Sequence, residues 1–201
     1  MLVEGIKSRP VYRGLSIQPH ARRHIFALEG EGADALLTQM AVLDDMILSR
    51  SEILYVARGS QAKGHDETLR RLGADMFFTA PTIATLLFRL KGSLSTAHMG
   101  TRLYIAGTEG FIGQAMIVAL DCGMDHASII TEHRGSLARR VQCVHCKGIT
   151  EDVTHSPFVC SHCGLPLLVR DHYSRRLGAF QGVNIDAEEP GSAPDPEELF
   201  L

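Results

Sequence analysis

His24-Ile-Phe-Ala-Leu-Glu-Gly30-Glu-Gly32-Ala-Asp-Ala35 is the stretch whose reading decides the fold. An apolar run from His24 to Leu28 stops at a Gly30-x-Gly32-x-x-Ala35 turn, and a helical pattern follows. A short run that is apolar throughout fits a strand buried on both faces, as in parallel sheets. Glycines between such a strand and a helix let a pyrophosphate approach the helix N-terminus. The motif alone is weak; its position between strand and helix is what gives it weight.

The same alternation continues outward. Further apolar runs lie at Ile53–Ala57, Asp75–Thr79, Arg102–Ala106 and Ala127–Thr131. Between them the pattern predicts helices over Ala33–Leu48, Glu67–Leu72, Pro81–Lys91 and Gly110–Cys122. The first carries Leu36, Leu37, Met40, Leu43 and Ile47 on one face. Pro81 suits a first helical turn, and Gly123 suits a left-handed cap. This order predicts an α/β fold with a five-stranded parallel doubly wound sheet over residues 24–133, in the order 3-2-1-4-5. Ligands of such sheets bind outside the C-terminal ends of the strands. Residues 1–23 read as an irregular arm.

After Glu132 the character changes. Cys143-Val-His-Cys146 and Cys160-Ser-His-Cys163 are separated by 13 residues. Two CxxC turns supply four thiolates at tetrahedral geometry, which suits structural Zn²⁺ with no open position for water. This predicts a zinc ribbon in residues 134–186, with Cys143, Cys146, Cys160 and Cys163 as metal ligands. A rubredoxin-like iron site uses the same ligands, so zinc against iron stays open. His145 and His162 lie inside the loops but are surplus to a shell of four cysteines. Leu165–Val169 reads as a strand, and Cys122 as a core thiol. Residues 187–201 hold five acids and three prolines, and read as disordered or partner-docking, with Leu199–Leu201 frayed rather than an apolar anchor.

The composition narrows the function. The 201 residues carry 20 Lys+Arg and 23 Asp+Glu, a net charge of −3. That leaves no global basic footprint for nucleic acid. No apolar stretch reaches the length of a membrane span, about 18 residues, and the N-terminal segment lacks a signal-peptide core. The expectation is a cytoplasmic protein, whose paired cysteines then point to metal rather than disulfides. No Ser-His-Asp or paired-carboxylate set stands out, so no catalytic residue is assigned. Glu132 and His133, at a strand end, read as structural rather than as an acid–base pair.

Leu103-Tyr-Ile-Ala-Gly107-Thr-Glu-Gly110-Phe111, followed by a helix, Gly123 and Ile130-Thr-Glu132-His133, resembles the closing section of the ferredoxin–NADP⁺ reductase nucleotide domain. Leu54-Tyr-Val-Ala-Arg58-Gly-Ser60 is similar to its second strand, where Arg and Ser meet the 2′-phosphate of NADPH. The resemblance implies nucleotide contacts at Gly30, Gly32, Arg58, Ser60, Gly107 and Thr108. Arg58, Ser60 and Lys63 also fit a plain solvated loop. The departures are Asp34 in place of a pyrophosphate-binding Thr, Glu29 and Glu31 flanking the same turn, and Ala106-Gly107-Thr108 where the reductases have Cys-Gly-Pro. The flavin-binding barrel that precedes this domain in the reductases is not expected here, because residues 1–23 are too few to form one.

The whole chain resembles the DmmA family of bacterial dimethylamine monooxygenase subunits. The closest stretch is Val141-Gln-Cys143-Val-His-Cys146 with Cys160-Ser-His-Cys163-Gly-Leu-Pro-Leu-Leu-Val-Arg170-Asp-His-Tyr-Ser-Arg-Arg176 and Ala179-Phe-Gln-Gly182-Val. This implies the zinc-binding subunit of a multicomponent NADPH-dependent oxygenase that demethylates dimethylamine to methylamine and formaldehyde. Haem would sit on an oxygenase subunit, and FMN and a [2Fe–2S] cluster on a reductase subunit. The chain would assemble the complex and be inactive alone, with His172, Tyr173, Arg175 and Arg176 as a docking segment. The alternative is an NADPH-binding half of a split flavin reductase feeding that oxygenase.

Overall fold

A computed structural model describes residues 8–58 and 64–201. The chain divides into two compact units: Tyr12–Gly135, and Ser136–Leu201 together with the stretch up to Val11.

In the first unit the order is β1 (Arg23–Glu29), α1 (Gly32–Leu37), α2 (Asp45–Leu48), β2 (Ser51–Val56), α3 (His65–Arg71), β3 (Met76–Ala80), α4 (Ile83–Ser95), β4 (Thr101–Gly107), α5 (Glu109–Asp121) and β5 (Ile129–His133). The strands form one sheet in the order β3-β2-β1-β4-β5. Every neighbouring pair is parallel. This is the doubly wound topology that the five apolar runs predict.

Alternate residues of the central strands serve opposite cores. Ile25, Ala27, Leu54, Leu103 and Ile105 pack with Leu86, Leu90, Phe111 and Ala115 from α4 and α5. Phe26, Leu28, Ile53, Tyr55 and Tyr104 pack with Ala33, Leu36, Ile47 and Leu69 from α1, α2 and α3. Burial on both faces is why these strands are apolar throughout.

The single helix expected over Ala33–Leu48 is two short ones. Thr38 Oγ1 bonds back to the Ala35 carbonyl at 3.0 Å. Asp44 is extended, and its carboxylate caps the Ile47 N–H at 2.8 Å. A side chain that caps a new helix ends the old one, and Met40 stands 54 % exposed between them. Pro81 lies outside α4, which is capped by Thr82 and runs on to Ser95. The last strand starts at Ile129, because Asp125 caps a short 3₁₀ turn over His126–Ser128. Gly123 follows α5 with a left-handed φ of 77°. The expected arm is more than an arm: Leu15 and Ile17 are buried in the second core, and Ala21 is buried as well.

In the second unit β6 (Arg139–Cys143), β7 (Ile149–Val153), β8 (His155–Ser156), β9 (Phe158–Val159), β10 (Pro166–Ser174), β11 (Ala179–Asn184) and β12 (Glu197–Glu198) follow in order. The main sheet runs β7-β6-β11-β10-β9. The strand expected at Leu165–Val169 continues to Ser174 through a register shift between Arg170 and Tyr173.

Two expectations change here. Residues 187–201 are neither wholly free nor frayed at their end. The strand β12 pairs with β8, and Phe200 is buried. The Arg139 guanidinium lies 4.0 Å from the Phe180 ring centroid and 4.0 Å from that of Phe200, with Asp171 at 2.7 Å. A desolvated cation between two aromatic faces is an attractive arrangement. Tyr173, expected on the docking surface, is a core residue packed edge-on against Phe180.

Candidate functional site

The four cysteines of the two CxxC turns converge, with every Sγ within 4.8 Å of the others. Cys143 and Cys163 stand 3.8 Å apart, as do Cys146 and Cys160. A tetrahedral ion with metal–sulfur bonds of about 2.3 Å sets its sulfurs about 3.8 Å apart. The donor set and spacing therefore fit a divalent metal of the zinc type.

The two turns are built alike. The N–H of Cys143 bonds to the Gly148 carbonyl, and that of Cys160 to the Leu165 carbonyl, each at 2.9 Å. The N–H of Lys147 returns to the Cys143 carbonyl, and that of Gly164 to Cys160, each at 3.0 Å. Lys147 and Gly164 occupy the same left-handed position, at φ 65° and 75°. The Gly148 N–H also points at Cys146 Sγ, at 3.4 Å. Burial pushes the Cys160 thiol up, but N–H groups of Cys163 and His162 and the neighbouring thiols outweigh it and bring it down to about 7.

His162 has a role that the spacing did not reveal. Its Nε2 meets the Ile149 carbonyl at 2.8 Å, joining the second turn to the first. A Cβ at Gly148 would lie 2.4 Å from its ring, so only glycine fits there.

The switch point, where β1 lies between β2 and β4, is the other candidate. Gly30 has φ 51°, and a Cβ there would meet the Arg58 carbonyl oxygen at 2.5 Å. A Cβ at Gly32 would meet the Ala106 carbonyl oxygen at 2.1 Å. Both glycines answer to close approach of the chain's own backbone. Glu29, at the end of β1, is 1 % exposed. Its carboxylate accepts the Thr108 N–H at 2.9 Å, the Thr108 hydroxyl at 2.6 Å and Arg58 Nη1 at 3.1 Å. Thr108 caps α5, and Gly107 has no room for a Cβ because Glu29 lies 2.8 Å from where it would be.

The structure thus brings Arg58, Gly107 and Thr108 around Glu29. Gly30 and Gly32 lie in the adjoining turn, and Ser60 and Lys63 lie outside the described residues. Asp34 pairs with His65 at 3.1 Å. Glu132 is held by the Leu15 N–H and by Arg134, each at 2.6 Å, so it braces the N-terminal segment. The His133 ring lies 5.9 Å from that of Tyr12. Cys122 is half-buried at the end of α5.

Comparison with known proteins adds the family. The model of the DmmA-like N-terminal domain of dimethylamine monooxygenase subunits matches residues 4–129, and that of the C-terminal domain matches residues 140–183. A protein described as the delta subunit of heme-dependent oxidative N-demethylase, from Ectopseudomonas mendocina (strain ymp), is 31 % identical over 151 residues, covering 73 % of this chain and 86 % of its own. Among solved structures, the FAD/NAD-binding domain of nitric oxide dioxygenase from Vibrio cholerae O1 biovar El Tor aligns at a TM-score of 0.43 and 16 % identity, over 63 % of this chain and 56 % of its own. The Amycolatopsis cytochrome P450 reductase GcoB aligns at 0.41 and 14 %, over 55 % and 37 %. The fold rests on the strand order and direction above rather than on these likenesses. Two consecutive family domains span the sheet and the ribbon, and the delta-subunit relative aligns over most of both chains; the chain belongs to the DmmA-like family of dimethylamine monooxygenase subunits.

Proposed function

We propose that this chain is the small zinc-binding subunit of a multicomponent, NADPH-dependent dimethylamine monooxygenase, and that its part is assembly of the electron-transfer complex rather than chemistry. The observation that carries this is the alignment over 86 % of a relative described as a subunit of a heme-dependent oxidative N-demethylase. Dimethylamine would be demethylated to methylamine and formaldehyde on a haem-containing partner. Electrons would come through a partner reductase with FMN and a [2Fe–2S] cluster. No helix among the described residues is long and apolar enough to cross a membrane, which is compatible with a cytoplasmic assembly.

Cys143, Cys146, Cys160 and Cys163 would hold the zinc. A closed shell of four thiolates leaves no position for substrate or water, so the metal supplies folding energy to the ribbon. Oxygen activation needs a cofactor with redox chemistry, and that falls to the partners. Arg175 and Arg176 are exposed in the turn between β10 and β11. With exposed His172 they form the basic surface on which a partner would dock, since charge complementarity governs encounter and register.

Co-expression with the haem and reductase subunits, followed by affinity purification and metal analysis, tests this. The expected outcome is a complex with one zinc per chain; iron in its place would make the site rubredoxin-like. Arg175→Glu with Arg176→Glu should weaken co-purification and leave the metal content unchanged. A purified chain that alone oxidises NADPH or demethylates dimethylamine would overturn the assembly role.

A further inference from the structure

We infer that Glu29 is a built-in anion occupying the place of a nucleotide phosphate, so that this chain enters its assembly without a pyridine nucleotide. The inference goes beyond the subunit role and decides against the alternative of an NADPH-binding half-reductase.

In an open doubly wound sheet the ligand crevice lies outside the strand C-terminal ends, where the strand order reverses. Here that place is between the ends of β1 and β4. A helix N-terminus there offers N–H donors and a partial positive charge to an anion. The 13-residue helix α5 starts at this point, beyond Thr108. Both Thr108 donors are already used, the N–H at 2.9 Å and the hydroxyl at 2.6 Å, and both go to the same Glu29 oxygen. Arg58, the cation that the reductase resemblance assigns to a phosphate, is turned onto the other Glu29 oxygen at 3.1 Å.

Space agrees with charge. Glu29 is 1 % exposed, so its carboxylate is enclosed rather than lying across an open mouth. A Cβ on Gly107 would come within 2.9 Å of Glu29 Oε2 and 3.0 Å of the Phe111 ring. The room that a glycine opens for a phosphate in a binding turn is filled here by the chain's own side chain. A second anion at this place would face a carboxylate, find Thr108 engaged, and compete for Arg58.

Calorimetric and thermal-shift titrations of the full zinc-loaded chain with NADP⁺ and with inorganic pyrophosphate test this. Neither probe should bind the wild type or raise its Tm. Glu29→Ala removes the anion and should tighten pyrophosphate binding by about tenfold or more relative to wild type. Adding Arg58→Ala should cancel that gain. Binding of NADP⁺ or pyrophosphate by the wild type overturns the inference, as does a folded Glu29→Ala that gains no affinity for pyrophosphate. If Glu29→Ala does not fold, Glu29→Ser, which also empties the carboxylate's place, decides on the same terms. Co-purification with partners is a separate readout, so failure here leaves the subunit role standing.

Discussion

At the scale of single residues, His24 sets a pH dependence. It is fully buried on β1, with its ring 5.8 Å from Tyr104 and 6.3 Å from Phe26. Its Nδ1 meets the Tyr104 hydroxyl at 3.2 Å, and that hydroxyl also accepts the Gln18 N–H at 3.0 Å. The other ring nitrogen, Nε2, is buried with no hydrogen-bond partner. Burial first, and the Arg50 charge second, bring its pKa down from 6.5 to about 4. Above pH 6.5 the ring is neutral whether folded or unfolded and contributes no pH slope. As pH falls below that, the unfolded chain takes up a proton that the folded chain refuses, so stability is lost towards pH 4. The loss should reach roughly 2 kcal/mol by pH 5. Denaturant unfolding at pH 7, 6 and 5 checks this, and His24→Phe should flatten the slope.

At the scale of elements, the two cysteine turns share their hydrogen bonds but not their chemistry. Gly164 holds a left-handed φ of 75° at no steric cost, whereas Lys147 holds 65° with a Cβ. The side chain of Lys147 offsets part of the strain by donating from Nζ to the Val144 carbonyl at 2.5 Å. Replacing a strained residue by glycine relieves about 1 kcal/mol, against which stand the lost bond and a looser unfolded chain. Lys147→Gly should therefore change ribbon stability by less than about 1 kcal/mol, while Lys147→Val should lose more, since a β-branched residue tolerates that φ poorly. Melting of the metal-loaded chain with each variant measures the difference. The same scale shows where sequence reading misled. An apolar period through Leu36, Met40, Leu43 and Ile47 looked like one helix. The period was real at its ends, but Asp44 is a stronger local signal, because a cap fixes a helix start wherever the face happens to point.

At the scale of the whole molecule, the strands and the cysteine turns were legible because their causes are local. Burial on both faces makes Ile25–Leu28 and Ile53–Val56 apolar, and the crossover rule then orders the sheet. Metal-ligand spacing needs only four positions to be visible. The Glu29–Thr108 contact was not legible, since its partners lie 79 residues apart and neither lies in a pattern that names the other. Phe200 was missed for the same reason, its tail being acidic and proline-rich while the Arg139 it meets lies in β6. Each unit has its own core, and every helix among the described residues lies in Tyr12–Gly135. Chelating the metal should therefore unfold the ribbon and leave the helical circular dichroism signal in place. Loss of that signal together with the metal would contradict two separately stabilised units.

The sulfur pairs make such chelation hard to undo in air. Cys143 faces Cys163 and Cys146 faces Cys160 at 3.8 Å, and a disulfide needs an approach to about 2.05 Å. A bound ion holds the thiolates apart as ligands; without it each sulfur has a ready mate. Each pair then gives two electrons and two protons to an oxidant such as dioxygen and closes a cross-link between the turns. The product is four hydrogens lighter than the reduced apo-chain, and a thiol reductant must reopen it before metal can return. Exchanging the ion is thus a matter of redox handling as much as of affinity.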